Sequence, residues 1–279
     1  MLSSTARWLT AHRHLHLVIL ATIYVCGVLG HDEVSKPIIW FKDQTSIKTL
    51  NVVMYGVVGT LVITAGLKGY LLWETHPFRR MLSNCWLLTF GLAILANFTI
   101  IPFKAELVHF IQYALIGFLI VPLVKNLSTV LYLGIWLGFL DELYQYIGLV
   151  KLYFDYNDVI LNIIGTAFGV LIAWSVLPVR RTSSAQDHRG PFYAWLGFNI
   201  LTAVLFFFGI INFFMDQGFP YWYRGPLKDY PDFFWQLRSN IAGPWHLITP
   251  YEGILLIILL PLLYWPLRYF SFTPTTIKE

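Results

Sequence analysis

The stretch GFLDELYQYIG, residues 138–148, places charged side chains inside an otherwise apolar run. Asp141 and Glu142 are adjacent, and Gln145 follows about one helical turn later. A carboxylate at the centre of a bilayer costs about 3 kcal/mol, and membrane proteins mostly keep such groups to bind a ligand or move a proton. These residue types therefore predict acid–base or binding chemistry at this position.

Two further segments carry polar residues at helical spacing. ELVHFIQY contains Glu106, His109 and Tyr113, and DYNDVILNIIG contains Asp158 and Asn162. Neighbours in each set are three or four residues apart, so each set lies on one helix face. Histidine is the side chain that most readily changes charge near neutral pH. We therefore predict that His109 acts as an acid or base with a carboxylate partner.

Pairs of glycines continue two of these polar stripes. Gly134 and Gly138 precede Asp141, while Gly165 and Gly169 follow Asn162 on the next helix. Small residues four apart let membrane helices approach closely. We expect the two helices to pack against each other through these glycines, which would bring their polar residues together.

The composition indicates a membrane protein. The chain has 279 residues, of which 57% are hydrophobic and 12% charged, and soluble domains carry about 25% charged residues. Eight apolar runs are long enough to predict spans in an all-α, polytopic transmembrane helix bundle. They lie at about 14–30, 49–73, 84–102, 106–125, 127–148, 157–178, 191–215 and 252–270. The net charge of +4 does not indicate nucleic acid, because basic residues here flank the helices.

The orientation follows from the arginines. If the N-terminus is inside, eight of the ten arginines lie on the cytoplasmic side, as the positive-inside rule favours. Both termini and the loops 74–83 and 179–190 are then cytoplasmic. The loops 31–48, 149–156 and 216–250 lie outside, and the three polar helix ends meet at the outer face of the membrane.

At these polar residues the chain resembles the VanZ-like family of bacterial integral membrane proteins. The shared pattern has a charged residue three before a histidine and an aromatic residue four after it, then DE..Q, then D...N..G...G. The resemblance covers about residues 84–178. It implies a four-helix core of the VanZ-like type and a site, but no particular reaction. Many members have lysine where this chain has Glu106 and arginine where it has Lys151, which implies altered ligand contacts.

The resemblance divides the chain into three parts. Residues 1–83 form an N-terminal two-span region, 84–178 the core, and 179–279 a C-terminal two-span region with the aromatic segment 216–250. We interpret the first span as an uncleaved anchor, although its basic flank also fits a secretory signal. The segment 216–250 is either an interfacial anchor for the last span or a lid that supplies Arg224, Lys228 or Arg238 to an anionic headgroup.

Structural roles compete with the functional ones. Adjacent Asp141 and Glu142 point about 100° apart on a helix, so Glu142 turns to another helix or marks a solvated helix end. Asp158 suits a helix N-terminus, and Asn162 a hydrogen bond between helices. Asp155 fits a loop or cap. The carboxylates with His109 could bind a cation, but no compact motif such as HExxH is present, so we predict no metal ligands. We interpret the HRHLH run, with His12, His14 and His16, as a basic flank beside the membrane.

The sequence predicts an integral protein of the bacterial cytoplasmic membrane with an outward-facing polar site in the cell envelope. The site would bind, and in an enzyme would modify, an envelope lipid or lipid-linked saccharide. His109, Glu106, Asp141 and Glu142 are the predicted catalytic residues. The predicted binding residues are Tyr113, Gln145, Lys151, Asp158 and Asn162. The alternative is a scaffold or a subunit of a larger membrane complex. Membrane lipids and membrane proteins are the expected partners, and no cofactor is indicated.

Overall fold

The computed structural model describes residues 11–73, 78–101, 106–147, 155–181, 189–208, 246, 248 and 250–273. These ranges are mostly helical, with nine α-helices, one 3₁₀ helix and a two-stranded sheet. The helices are α1 (Arg13–Leu29), α2 (His31–Gln44), α3 (Ile47–Trp73), α4 (Arg79–Thr99), α5 (Leu107–Val124), α6 (Leu127–Ile147), α7 (Tyr156–Val176), α8 (Arg189–Phe207) and α9 (Pro250–Leu263). The 3₁₀ helix is Trp265–Tyr269, and the strands are β1 (Val179–Arg181) and β2 (Phe270–Phe272).

Each of the eight predicted spans overlaps one of these helices. Four helices are long and apolar enough to cross a membrane, namely α4, α5, α7 and residues Ile47–Thr64 of α3. Apolar segments Arg13–Leu29 and Glu252–Leu263 are shorter. The prediction of a helical fold is confirmed, and four helices have the length and composition that a membrane protein requires. The count of eight spans stays a prediction. Helix α2 was not predicted, since its segment reads as a polar connection.

Helix α7 is the centre of the bundle. Of its residues, 89% are buried. In the spanning part of α3 only 11% of the residues are buried, so this helix lies at the periphery. Helices α5, α6, α4, α3 and α9 all contact α7. The residues named as the polar site on α7 are therefore enclosed by neighbouring helices.

The glycines allow the closest helix approaches, but not all in the predicted direction. A Cβ on Gly138 of α6 would lie 2.9 Å from the Cβ of Asn162 on α7, and Gly134 faces Thr166 of α7. Gly165 and Gly169 instead face the α5 backbone, at Phe110 and Ala114 respectively. The prediction that both pairs join the same two helices was therefore wrong.

The reason lies in the geometry of α7. Asn162 and Gly165 are about 60° apart around a helix, so the glycine pair of α7 is turned from the α6 face towards the α5 face. Gly117 of α5 completes this contact, because a Cβ there would lie 2.6 Å from the backbone oxygen of Thr166. The stripe of Asn162, Gly165 and Gly169 on α7 therefore contacts both α5 and α6 and brings the three helices together.

A small sheet closes the end of the bundle away from Asp158. Strands β1 and β2 pair antiparallel, with Val179 opposite Phe272, and the backbone N–H of Phe272 donates to the carbonyl of Lys125. Asn126 Oδ1 accepts from the backbone N–H of Ser128 at 3.0 Å, which caps the start of α6. Its Nδ2 donates to the carbonyls of Arg268 and Phe270. This sheet was not predicted from the sequence.

Candidate functional site

Helices α5 and α6 bring three of the predicted site residues together. His109 lies on α5, Asp141 and Glu142 lie on α6, and one donor atom from each lies within 4.8 Å of the other two. The three residues are 6%, 1% and 2% exposed, respectively. The structure therefore places an imidazole and two carboxylates in one buried cluster, which we call the triad.

Gln145 connects the two carboxylates of the triad. Its Nε2 donates to Asp141 Oδ1 at 3.2 Å and to Glu142 Oε1 at 3.0 Å. An amide nitrogen carries two protons, so one Gln145 side chain can serve both carboxylates. This contact explains how adjacent residues on one helix reach a common site. Glu142 is buried beside His109 of α5 and is not solvated, so it turns to another helix, as one of the two sequence interpretations had it.

The backbone carbonyl of Leu137 receives two tyrosine hydroxyls. Tyr113 Oη lies within hydrogen-bond distance of two acceptors, this carbonyl at 3.0 Å and Asp141 Oδ2 at 3.1 Å. Tyr24 of α1 donates to the same carbonyl at 2.9 Å. A tyrosine has one hydroxyl proton, so Tyr24 satisfies the carbonyl while Tyr113 donates to Asp141.

Sequence reasoning missed Tyr24. It lies on the first apolar helix, far along the chain from the polar stripes, and nothing in its local pattern separates it from other aromatic residues of a membrane helix. Its position also places α1 against the core, where the Gly27 backbone packs against the side chain of Gln112. The first helix is therefore part of the bundle that surrounds the site.

Asp158 faces the triad from α7. Its Oδ2 lies 3.8 Å from His109 Nε2, and it is 9% exposed. Asp155 caps α7 by accepting from the backbone N–H of Asn157 at 2.8 Å, which agrees with the cap interpretation. Asp158 lies in the first turn of α7, where a negative charge interacts favourably with the helix dipole. Its charge is thus suited both to the helix and to orienting His109.

Asn162 lies one turn further along α7. The residue is fully buried, and neither polar atom of its amide has a hydrogen-bond partner among the described residues. The amide points towards α6, because its Nδ2 would lie 3.3 Å from a Cβ on Gly138. The predicted hydrogen bond from Asn162 to another helix is therefore absent from the part of the chain that the structure describes.

Asn157 joins the start of α7 to the segment before α9. Its Nδ2 donates to the carbonyl of Ile100 at 2.8 Å and to that of His246 at 3.3 Å, and its Oδ1 accepts from the N–H of Ile248. His246 Nε2 also lies 3.0 Å from Glu252 Oε2. This junction, next to Asp158, was missed because the contacts of the Asn157 amide join distant parts of the sequence.

The remaining predicted residues fall outside the cluster or outside the described ranges. Glu106 precedes α5 and is half-buried. Of the HRHLH run, His12 and His14 are exposed and His16 is buried. Lys151 and the three basic residues of the proposed lid lie outside the described residues, as does all of 216–250 except positions 246, 248 and 250.

The arrangement supports two kinds of chemistry. An imidazole beside a carboxylate can take up and release a proton, and an imidazole with two carboxylates can hold a cation. Comparison of the chain with family models, with curated proteins and with solved structures found no match. The resemblance to the VanZ-like family therefore stays a prediction, and the site is interpreted from its own geometry.

Proposed function

We propose that this chain is an integral protein of the bacterial cytoplasmic membrane that binds an envelope lipid or lipid-linked saccharide and, as an enzyme, would modify it. The observation that carries the proposal is the buried triad of His109, Asp141 and Glu142. Three helices enclose it in a chain with helices long enough to cross a membrane. Ionisable groups in such a setting are functional by default, because burying them is costly.

The amphipathic character of the ligand follows from the surroundings of the triad. The ionisable groups lie at one end of α5, α6 and α7, and the rest of these helices is mostly apolar. A polar headgroup would occupy the triad while its chain lies along apolar helix surface. His109 would move the proton, with Asp158 orienting its ring. Lys151 would bind an anionic headgroup from the outer side of the membrane.

Activity in cells tests the proposal. In a deletion strain, the wild-type gene should restore the normal phenotype. The His109→Ala and Asp141→Asn variants should fail to restore it, although their protein levels are unchanged. His14→Ala and Asp43→Asn are matched controls, because both residues are exposed. Full complementation by the two triad variants would overturn the proposal.

Native mass spectrometry of the purified protein tests ligand binding directly. The wild-type protein should retain a lipid mass that the Asp141→Asn variant loses. Tyr24→Phe should lower retention less, because Tyr113 can then turn from Asp141 to the carbonyl of Leu137. A stoichiometric protein partner in place of a lipid, with triad variants that bind it normally, would favour the scaffold or complex-subunit function.

A further inference from the structure

We infer that His109, Asp141 and Glu142 bind one divalent transition-metal ion. The inference goes beyond the proposed function, because metal binding can be measured without any lipid and would stand if no lipid were bound. With the ion in place His109 would be a ligand, and a water on the ion would take over the proton transfer proposed for the imidazole. The sequence predicted no metal ligands, since the three residues form no compact motif. The structure brings them together from two helices.

The separations of the donor atoms suit a single ion. One nitrogen and two carboxylate oxygens lie within 4.8 Å of one another. Two ligands bound tetrahedrally at about 2.1 Å to one Zn²⁺ ion are about 3.4 Å apart. The longest separation therefore has to shorten by at most about 1.4 Å, which rotations about the side-chain torsions of the triad would supply.

Hydrogen bonds already orient the carboxylate ligands. Tyr113 donates to one oxygen of Asp141, and Gln145 donates to the other oxygen and to Glu142. Asp158 lies beside the ring of His109. Metal-binding histidines and carboxylates usually have such outer partners, which fix their orientation and raise metal affinity.

Asn162 supplies an independent observation. Its amide is fully buried, points towards the α6 turn before Asp141, and has no hydrogen-bond partner among the described residues. Leaving such an amide unsatisfied costs about 1 to 3 kcal/mol. A water bound to the ion could donate to the Asn162 oxygen, and this would explain why a polar side chain is kept at this position.

The charge and the ligand types select the class of ion. The triad and Asp158 together hold three carboxylates and one imidazole, and a dication offsets part of this negative charge. Mg²⁺ and Ca²⁺ prefer all-oxygen sites, whereas imidazole with carboxylate suits Zn²⁺ and Mn²⁺. Three protein ligands leave a coordination position open, at which an oxygen of a headgroup can bind.

The rival explanation needs no ion. The Gln145 amide, together with a proton shared between the carboxylates, would hold Asp141 and Glu142 close to each other. In that case the protein with an intact triad would bind Zn²⁺ no better than a variant in which a triad residue is replaced. A binding measurement therefore separates the two explanations.

The experiment measures Zn²⁺ binding to the purified full chain in detergent. His12 and His14 are exposed and could bind Zn²⁺ adventitiously, so the reference protein carries His12→Ala and His14→Ala. After removal of metal with a chelator, equilibrium dialysis should give one Zn²⁺ per chain. His109→Ala and Glu142→Gln, added to this reference, should each weaken binding at least tenfold.

His246→Ala is the matched control, because His246 also lies beside a carboxylate but is not part of the triad. It should bind Zn²⁺ as the reference does. Tyr113→Phe keeps all three ligands and should weaken binding about 10- to 100-fold through the lost contact to Asp141. This variant carries the test if His109→Ala fails to fold.

A Co²⁺-substituted protein adds a spectroscopic signature. Its visible absorption should change in Tyr113→Phe and stay unchanged in His246→Ala. The inference is overturned if the reference binds Zn²⁺ no better than Glu142→Gln, or if His246→Ala loses binding to the same extent.

Discussion

Replacing Gly165 by alanine should separate α5 from α7. A Cβ at this position would lie 2.6 Å from the backbone oxygen of Phe110, and ordinary van der Waals contact begins at 3.4 Å. The helices therefore have to move apart by about 0.8 Å, because a backbone atom cannot rotate away as a side chain does. A gap of that size loses about a quarter to a half of the dispersion energy of each opened contact.

Overpacking by Gly165→Ala should cost about 3 kcal/mol, the upper end of the range typical of overpacked cores. The higher helix propensity of alanine returns about 1 kcal/mol, so the expected net cost is about 2 kcal/mol. At about 2 to 4 °C per kcal/mol for a chain of this size, the midpoint of thermal unfolding should fall by about 4 to 8 °C. The assay is thermal unfolding of the purified protein in mild detergent, followed by size-exclusion chromatography of the heated samples.

Gly91→Ala is the matched control. Gly91 lies within a helix long enough to cross the membrane, and a Cβ there meets nothing within 4 Å. The substitution should leave the midpoint unchanged or raise it, because alanine favours a helix by about 1 kcal/mol over glycine. Equal midpoints for Gly165→Ala and Gly91→Ala would refute the close approach of α5 and α7 on which the site geometry depends.

Three further predictions test the site, the capping contact and the topology. Asp141→Asn should leave the unfolding midpoint nearly unchanged and Gly138→Leu should lower it clearly; the opposite order would mean that the polar cluster is structural. Asn126→Ala should cost about 1 to 2 kcal/mol through the lost helix cap, measured as faster proteolysis after α9, and equal proteolysis would contradict the capping contact. In a protein without native cysteines, a cysteine at position 36 should react with an impermeant reagent from outside and one at 184 should not; labelling at 184 would invert the proposed orientation.

Much of the site could be predicted from periodicity alone. His109, Asp141 and Asp158 were grouped because each begins or continues a polar stripe on an apolar helix, and helical spacing puts each stripe on one face. The structure brings all three into proximity. Local spacing was sufficient because short connections make these consecutive helices neighbours.

Features that depend on packing could not be predicted in the same way. Gly165 turned to α5 because α7 has neighbours on several sides, and a repeat of small residues does not say which neighbour it meets. Tyr24 and Asn157 join elements that are distant in sequence. Their contacts depend on helix rotation and on chain crossings, for which single-sequence patterns carry no signal.

The pairing of β1 with β2 has a consequence for biosynthesis. While α8, residues 209–249 and α9 are being made, β1 has no partner strand, and the Asn126 amide lacks its carbonyl acceptors from residues 268 and 270. Exposed strand edges invite pairing with other chains and attack by proteases. A nascent chain that stops after α9 would contain every residue of the triad and still carry an open edge at the other end of the bundle. Cellular quality control could therefore distinguish unfinished from finished molecules by a sheet of three residues per strand, remote from the chemistry.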